Sequence, residues 1–140
     1  MPVIDQAPLQ PTPLTEHVQV ISIEPDTAES TVISTLVTVD PENPIFAGHY
    51  PGLPIFPGVC LIECVHRTVL AAPRPRGVAP IMEAVLKARF LTPVFPGDEI
   101  STRARITKDA QQWTATAVLH GKHGVVATID LRYRLPGGGS

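Results

Sequence analysis

Four segments in the second half of the chain alternate between apolar and polar residues with the two-residue period of β-strands. In residues 125–135 every odd position is apolar, and Ala84–Phe90, Ser101–Thr107 and Trp113–Leu119 come before it. Because successive side chains of a strand point to opposite faces, the pattern predicts antiparallel strands with one buried and one solvated face.

Two segments rich in β-branched residues, Glu16–Ile23 and Thr31–Val39, predict two further strands near the beginning of the chain. Glu24-Pro25-Asp26 lies between them and predicts the turn. Residues 40–57 are interrupted by proline and glycine too often for a strand, yet they are too apolar for a solvated loop. We expect them to form a packed loop, a kind of segment that often carries function.

One helix is predicted from Gly58 to about Ala72, where proline is absent. Its apolar residues fall on every side, so we expect it to be buried nearly all round. The predicted order is therefore two strands, a packed loop, one buried helix and four strands. An antiparallel sheet curved around the helix is an economical way to bury it, which gives an α+β fold.

Length and composition fit a single domain. The chain has 140 residues, 44% of them hydrophobic, and a core of this size needs no disulfide or metal to hold it. We expect a Pro-rich N-terminal arm over residues 1–13, one domain over 14–136 and a flexible tail over 137–140.

The chain shows no signal for export or membrane insertion. No apolar run approaches a membrane span, and the N-terminal residues lack a basic and apolar signal sequence. Cys60 and Cys64 are one helical turn apart, which suits thiols in a reducing compartment better than a disulfide framework. We therefore expect a cytoplasmic protein that does not contact membranes.

Charge is distributed unevenly along the chain. Residues 1–66 contain eight acidic residues and no Lys or Arg, whereas residues 67–140 contain all eleven basic residues and five acidic ones, a balance of +6. Either the two halves interleave in space, or the protein has a positive face for an acidic partner. A pI near 6.2 disfavours binding to nucleic acid.

Three groups in residues 46–63 are suited to acid–base chemistry. His49 in the packed loop can accept or donate a proton near neutral pH. Glu63 lies within an apolar helix, where burial favours the protonated form of a carboxyl group. The helix start at Gly58-Val59 offers unpaired N–H groups to a carbonyl oxygen that gains negative charge.

Each of these residues also has a purely structural explanation. A lone histidine in an apolar loop is commonly a hydrogen-bonded packing residue, and Glu63 precedes Arg67 by four residues, which is a favourable ion pair on a helix. His66 follows Glu63 by three residues, as in helical carboxylate metal sites. Those sites need a second such pair on another helix, so we expect no metal site.

The complete motif FAGHYPGLPIFPGVCLIE, residues 46–63, resembles the signature of the β-hydroxyacyl-[acyl-carrier-protein] dehydratases. That family has a Gly-His-aromatic-Pro loop, a Pro-Gly-Val helix start and an acid fourteen residues after the histidine, the interval from His49 to Glu63 here. Lys87-Ala88-Arg89-Phe90, Pro93 and Pro96-Gly97-Asp98 match a second family segment. The resemblance spans roughly residues 16–134 and implies the hotdog fold, a curved antiparallel sheet wrapped around one central helix.

The resemblance implies a role for each matching residue. His49 is expected to remove the α-proton of a 3-hydroxyacyl thioester, and Glu63 to protonate the departing hydroxyl, directly or through a water. The N–H of Gly58 is expected to bind the thioester carbonyl. The residues assigned to substrate binding are Gly58, Val59, Tyr50, Pro51, Phe56, Pro57 and Arg67.

The resemblance also implies the partners. In the family the histidine and the acid of one site come from different subunits, so a dimer is expected, as a homodimer or with a second hotdog subunit. No cofactor is expected, because the substrate arrives on the phosphopantetheine arm of an acidic acyl carrier protein. The candidate docking residues are Arg67, Arg74, Arg76, Lys87, Arg89, Arg103, Arg105, Arg132 and Arg134.

The helix departs from the family pattern after Glu63. Arg67 stands where the family usually has Gln, and Cys64, Val65 and His66 replace small residues. An Arg one turn from Glu63 favours the carboxylate form over the acid form. The expected activity is dehydration of a 3-hydroxyacyl thioester to the trans-2-enoyl thioester, and a specialised role in polyketide or polyene synthesis stays open. The alternatives are a non-catalytic or partner-dependent hotdog subunit and a hotdog thioesterase.

Overall fold

The computed structural model describes residues 14–48, 55–75, 77–109 and 111–136. The elements in chain order are β1 (Gln19–Thr27), β2 (Ser30–Thr38), α1 (Ile45–Gly48), α2 (Gly58–Leu70), β3 (Ile81–Phe90), β4 (Glu99–Lys108), β5 (Gln112–Gly121) and β6 (Gly124–Arg134). The predicted order is confirmed, with the short helix α1 added within the packed loop. The expected N-terminal arm and C-terminal tail lie outside the described residues.

The six strands form one sheet in the order β1-β2-β4-β5-β6-β3, in which all neighbours are antiparallel. Helix α2 contacts β2, β3, β4, β5 and β6. One helix can reach five strands because the sheet curves around it. The predicted sheet around a helix is therefore confirmed.

The alternation in β4 and β5 defines the core. Ile100, Thr102, Ala104 and Ile106 on β4 are fully buried, while Ser101, Arg103 and Arg105 between them are exposed. On β5, Trp113 and Leu119 are buried in the same way. These side chains pack under the buried face of α2 and fix the position of the helix on the sheet.

The predicted turn at Glu24-Pro25-Asp26 is wrong. Strand β1 continues through Pro25 to Thr27, and the turn is Ala28-Glu29. Proline has no N–H to donate within a sheet, and it is tolerated here because β1 is an edge strand with a neighbouring strand on only one side. The register shift between Pro25 and Thr27 absorbs the irregularity.

Helix α2 is buried on one face and not nearly all round. Cys60, Cys64 and Val65 face the sheet and are fully buried, but Val59 on the opposite side is 55% exposed. The sheet of one chain can cover only one side of a helix. The other edge strand, β3, is also unusually open for its apolar composition, with Leu86 48% exposed.

Candidate active site

Helix α2 begins abruptly after a proline. Pro57 is the N-cap in an extended conformation, its side chain makes no capping hydrogen bond, and its carbonyl accepts the N–H of Cys60 at 2.9 Å. The first turn contains no acidic residue. The N–H groups at Gly58 and Val59 precede the first intrahelical donor, so the positive end of the helix is available to a ligand oxygen.

An apolar pocket of about 290 Å³ opens at this helix start. One wall consists of residues 55–58 with Leu61, and the other consists of residues 90–94, which begin with the last residue of β3. Phe56 N–H donates to the Val94 carbonyl at 2.7 Å and joins the two walls. The pocket can therefore bind an apolar chain with a polar end directed at the first turn of α2.

Gly58 leaves space for an aromatic ring over the helix start. A Cβ atom at Gly58 would lie 2.8 Å from Cζ of Phe90. No other residue type fits there without moving that ring. Because Gly58 has no side chain, the Phe90 ring can lie against the backbone at the start of α2, where both residues line the pocket.

The two ends of the predicted histidine loop meet beside this pocket. The rings of Phe46 on α1 and Phe56 before α2 have centroids 6.1 Å apart. His49, Tyr50 and Pro51 lie between them in sequence but outside the described residues. Phe46 and Phe56 are described residues on the two sides of this loop, and their contact keeps both ends of the loop close to the start of α2.

Glu63 and Arg67 form an ion pair on the outer side of α2. Arg67 Nε donates to Glu63 Oε2 at 3.1 Å, and the Arg67 and Glu63 side chains are 29% and 23% exposed, respectively. Arg67 Nη2 also donates to the Leu14 carbonyl at 2.8 Å. The departure from the family at residue 67 therefore gives Glu63 an ion-pair partner on its own helix.

His66 and Tyr133 form a second polar contact beside this pair. His66 Nδ1 lies 2.9 Å from Tyr133 Oη, and the rings stack with centroids 5.7 Å apart. Burial lowers the pKa of His66, and the Glu63 carboxylate opposes the shift only in part. Burial, with a smaller contribution from Glu63, raises the pKa of Tyr133. Both groups therefore favour their neutral forms.

The two cysteines are buried thiols that are poor nucleophiles. Burial, followed by the charge of Glu16, raises the pKa of Cys60 to about 12. Burial raises the pKa of Cys64 to about 12 as well. At neutral pH both therefore stay in the thiol form, which is a poor nucleophile.

Comparison with known proteins identifies the family. The model of the ApeI-like family, described as ApeI dehydratase, matches residues 24–128. The 3-hydroxyacyl-[acyl-carrier-protein] dehydratase FabZ of Roseiflexus castenholzii is 33% identical over 116 residues, which cover 80% of this chain and 73% of that enzyme. The chain belongs to this dehydratase family.

A second relative matches over a shorter region. The FabZ dehydratase of Symbiobacterium thermophilum is 42% identical over 66 residues, 44% of this chain and 46% of that enzyme. This match spans less than half the length of that relative, so it supports the family and not every property of the whole enzyme.

Solved structures confirm the hotdog fold. The dehydratase heterocomplex ApeI:P from Xenorhabdus doucetiae has a TM-score of 0.56 at 20% identity and covers 82% of this chain and 96% of that chain. A hot-dog-like protein from Thermanaerovibrio acidaminovorans has a TM-score of 0.66 at 12% identity, with coverages of 77% and 82%. At these identities the likeness concerns the fold alone.

The hotdog chain brings only some of the predicted site residues together. Phe56, Pro57 and Gly58 line the pocket, whereas Glu63 does not. Arg67 lines a separate groove on the other side of α2. Within the described part of one chain, the predicted acid and the predicted acyl pocket therefore do not share a cavity.

Pocket residues on the segment after β3 were missed by the sequence. Phe90 was part of the family match, but neither it nor Leu91 was assigned to binding. Both are large apolar residues about half exposed at the surface. Their position at the end of the predicted strand and just before Pro93 was the available signal, since apolar residues next to a motif often line its pocket.

Most candidate docking cations already have intramolecular partners. Arg105 pairs with Asp26, and Arg132 and Arg134 lie 3.4 and 3.8 Å from Glu83 oxygens. Arg74 donates to the Leu70 carbonyl. Lys87, Arg89 and Arg103 belong to strands β3 and β4, and Arg76 lies outside the described residues. The docking surface stays a prediction.

The described part of the chain contains neither a cluster of metal ligands nor a helix that could span a membrane. Among these residues no group of three His, Cys, Asp or Glu side chains is arranged to hold a metal ion. None of the helices there is long and apolar enough to cross a membrane.

Proposed function

We propose that the protein dehydrates a 3-hydroxyacyl carrier-protein thioester to the trans-2-enoyl thioester. The observation that carries the proposal is the start of α2, where Gly58 lines an apolar pocket and the ends of the motif loop meet. Relatives named as 3-hydroxyacyl-[acyl-carrier-protein] dehydratases support the reaction class. The activity is that of a hydro-lyase.

The substrate binds with its acyl chain in the pocket and its carbonyl at the helix start. The N–H of Gly58 donates to the thioester oxygen, supported by the positive end of α2. This hydrogen bond strengthens as the oxygen gains enolate charge, which makes the α-proton easier to remove. Phe56 and Pro57 line the pocket around the acyl group. Val59, Tyr50 and Pro51 are assigned to substrate binding by the resemblance to the dehydratase family.

The elimination needs one base and one proton donor. His49 takes the α-proton, the electrons of that bond form the new double bond, and the bond from Cβ to the hydroxyl oxygen breaks. Glu63 supplies a proton to that oxygen, directly or through a water, so the products are the enoyl thioester and one water. Exchange with solvent then returns His49 to its neutral form and Glu63 to its acid form.

Two chains form the complete site, with His49 from one subunit and Glu63 from the other. The separation of Glu63 from the pocket within one chain supports this arrangement. The apolar surface left open on one chain also supports it, because Val59 on α2 and Leu86 on the edge strand β3 are half exposed. A second hotdog chain buries such a surface.

The second chain is a copy of this one or a different hotdog subunit. The heterodimer is a specific alternative because the structurally similar ApeI:P assembly is itself a dehydratase heterocomplex. The acidic carrier protein docks on exposed basic residues of 67–134 and delivers the substrate on its phosphopantetheine arm, in the cytoplasm. No other cofactor takes part. Fatty-acid synthesis is the leading context, and the altered helix after Glu63 is compatible with a polyketide role.

Intact-mass analysis of a 3-hydroxyacyl carrier protein incubated with the purified chain tests the proposal. The wild type is expected to remove one water, and His49→Ala and Glu63→Gln are expected to abolish the loss. Release of the free acid without an enoyl product would identify a thioesterase. A folded wild-type dimer inactive at several acyl lengths would contradict a self-sufficient enzyme, and restored activity on adding a second hotdog subunit would support the heterodimer.

A further inference from the structure

Glu16 is a buried carboxylate that binds the segment leading to the histidine loop. Its side chain is 7% exposed. Glu16 Oε2 accepts the N–H of Asp40 at 2.9 Å, and Asn43 Nδ2 donates to Oε1 and Oε2 at 3.1 and 3.0 Å. All these donors are uncharged and belong to residues 40–43. Burying a carboxylate is costly unless it accepts hydrogen bonds, so these three bonds are what make the buried position of Glu16 possible.

The same Asn43 side chain holds the first turn of α1. Asn43 Oδ1 accepts the N–H of Ile45 at 2.9 Å, and the Asn43 carbonyl accepts the N–H of Phe46 at 3.1 Å. Asn43 is itself 4% exposed. Since α1 ends at Gly48, the next residue in the chain is His49. A continuous set of hydrogen bonds thus runs from Glu16 to the helix that precedes the proposed base.

Glu16 is also anchored with respect to α2. Leu14, two residues earlier, is fully buried in the core, and its carbonyl accepts a hydrogen bond from Arg67 Nη2 at 2.8 Å. Glu16 lines one groove together with Arg67 and Leu70 of α2, which places its side chain beside that helix. Residues 14–16 therefore sit between the helix that carries Glu63 and the segment that leads to His49.

We propose that Glu16 is a positioning residue for His49. Its carboxylate orients the Asn43 amide group, Asn43 fixes the start of α1, and α1 sets where the histidine loop begins. Glu16 lies before residue 24, where the family match starts, so the role does not follow from that match. The inference rests on the proposed function only in assigning His49 as the base.

Glu16→Gln tests this with almost no change in shape. A glutamine has one oxygen for the Asp40 N–H, but its NH2 group faces the NH2 group of Asn43, so one buried donor loses its acceptor. The double variant Glu16→Gln/Asn43→Asp restores complementarity, because the introduced amide can donate to the introduced carboxylate while that carboxylate still accepts the Ile45 N–H. Glu42→Gln, at an exposed acid of the same segment, is the matched control.

Two readouts need no substrate. Amide hydrogen exchange of residues 40–46 is expected to accelerate at least about tenfold in Glu16→Gln, while the β4 and β5 amides keep their wild-type rates. The imidazole NMR signal of His49, assigned by its loss in His49→Ala, is expected to shift or broaden while that of exposed His120 does not. Both effects should be largely reversed in the double variant and absent in Glu42→Gln.

The kinetic readout is a lower kcat for Glu16→Gln with little change in KM, since Glu16 does not line the acyl pocket. Unchanged exchange in residues 40–46, or acceleration spread evenly over the whole sheet, would overturn the inference. So would an unaltered His49 signal. If the wild type lacks dehydratase activity, the proposed function fails, but exchange and NMR still decide whether Glu16 positions the loop.

Discussion

Arg67 Nε lies 3.1 Å from Glu63 Oε2, so the proposed acid is paired with a cation on its own helix. The four-residue spacing makes the two side chains neighbours on one helix face. Both are partly exposed, and solvent screening limits such a pair to about 1 kcal/mol or less. The pair ties the Glu63 carboxyl group to Arg67 and so competes with a contact between Glu63 and the substrate hydroxyl.

Replacing Arg67 with the family's usual residue should therefore help the chemical step. Arg67→Gln is expected to raise kcat near neutral pH by up to about fivefold, the equivalent of about 1 kcal/mol. Arg67→Lys keeps the charge and should stay near the wild type. The measurement is the initial rate of water loss from the carrier-protein substrate. A large fall in kcat for Arg67→Gln would mean that Arg67 itself takes part in catalysis.

Thr102 has the one buried side-chain polar atom without a hydrogen-bond partner among the described residues. An unsatisfied buried hydroxyl costs roughly 1–3 kcal/mol, so Thr102→Val should stabilise the protein by about 1 kcal/mol. Thr35 on β2 is the residue paired with Thr102 across the sheet, and its hydroxyl forms a hydrogen bond of 2.8 Å with the hydroxyl of Thr68. Thr35→Val is thus a matched control that should destabilise. Chemical denaturation measures both, and a loss of stability in Thr102→Val would contradict the prediction.

The His66–Tyr133 contact predicts a dependence of stability on pH. Burial lowers the pKa of His66 below its ordinary value of 6.5. The His66 imidazole therefore binds a proton more readily in the unfolded chain than in the folded one. The stabilising contribution is complete above pH 6.5 and is lost as the pH falls below it. Melting temperature should therefore fall as the pH is lowered through and below 6.5.

His66→Gln separates this effect from the titration of other groups. The glutamine amide can replace the hydrogen bond to Tyr133 and does not titrate, so the drop in melting temperature should be smaller in this variant. His120→Gln, at an exposed histidine, should keep the wild-type slope. Equal slopes for His66→Gln and the wild type would show that His66 does not carry the dependence.

The sequence predicted those features that depend on residues close to one another along the chain. Alternation in residues 125–135 predicted β6, and the spacing of Glu63 and Arg67 predicted their pairing. The turn at Pro25 was misplaced because only the sheet order reveals that β1 is an edge. Glu16 was missed because Asn43, its partner, lies 27 residues away. Nothing in its surroundings in the sequence marks it as buried.

Gly58→Ala should alter the pocket more than the fold. The new Cβ would meet the Phe90 ring at 2.8 Å, but that ring is 50% exposed and can turn away. We expect a stability change below about 1 kcal/mol and a several-fold higher KM, because the displaced ring lines the acyl pocket. Gly58→Ala/Phe90→Leu removes the clash and should recover part of the affinity. An unchanged KM in Gly58→Ala would exclude this pocket as the acyl site.

The sharing of one site between two chains can be tested by mixing inactive variants. His49→Ala and Glu63→Gln are each expected to be inactive alone. In a mixed dimer, one of the two sites receives His49 from one chain and Glu63 from the other, and is intact.

Random exchange of subunits makes half of the dimers mixed, so equal amounts should recover about a quarter of the wild-type activity. Leu86→Arg, which places a charge on the exposed apolar edge of β3, should yield monomers by light scattering and prevent recovery when present in both variants. Lys87→Arg, on the same strand, keeps the charge and should leave recovery intact. Without recovery from mixed dimers whose formation is verified by mass, His49 and Glu63 cannot belong to one site shared between subunits.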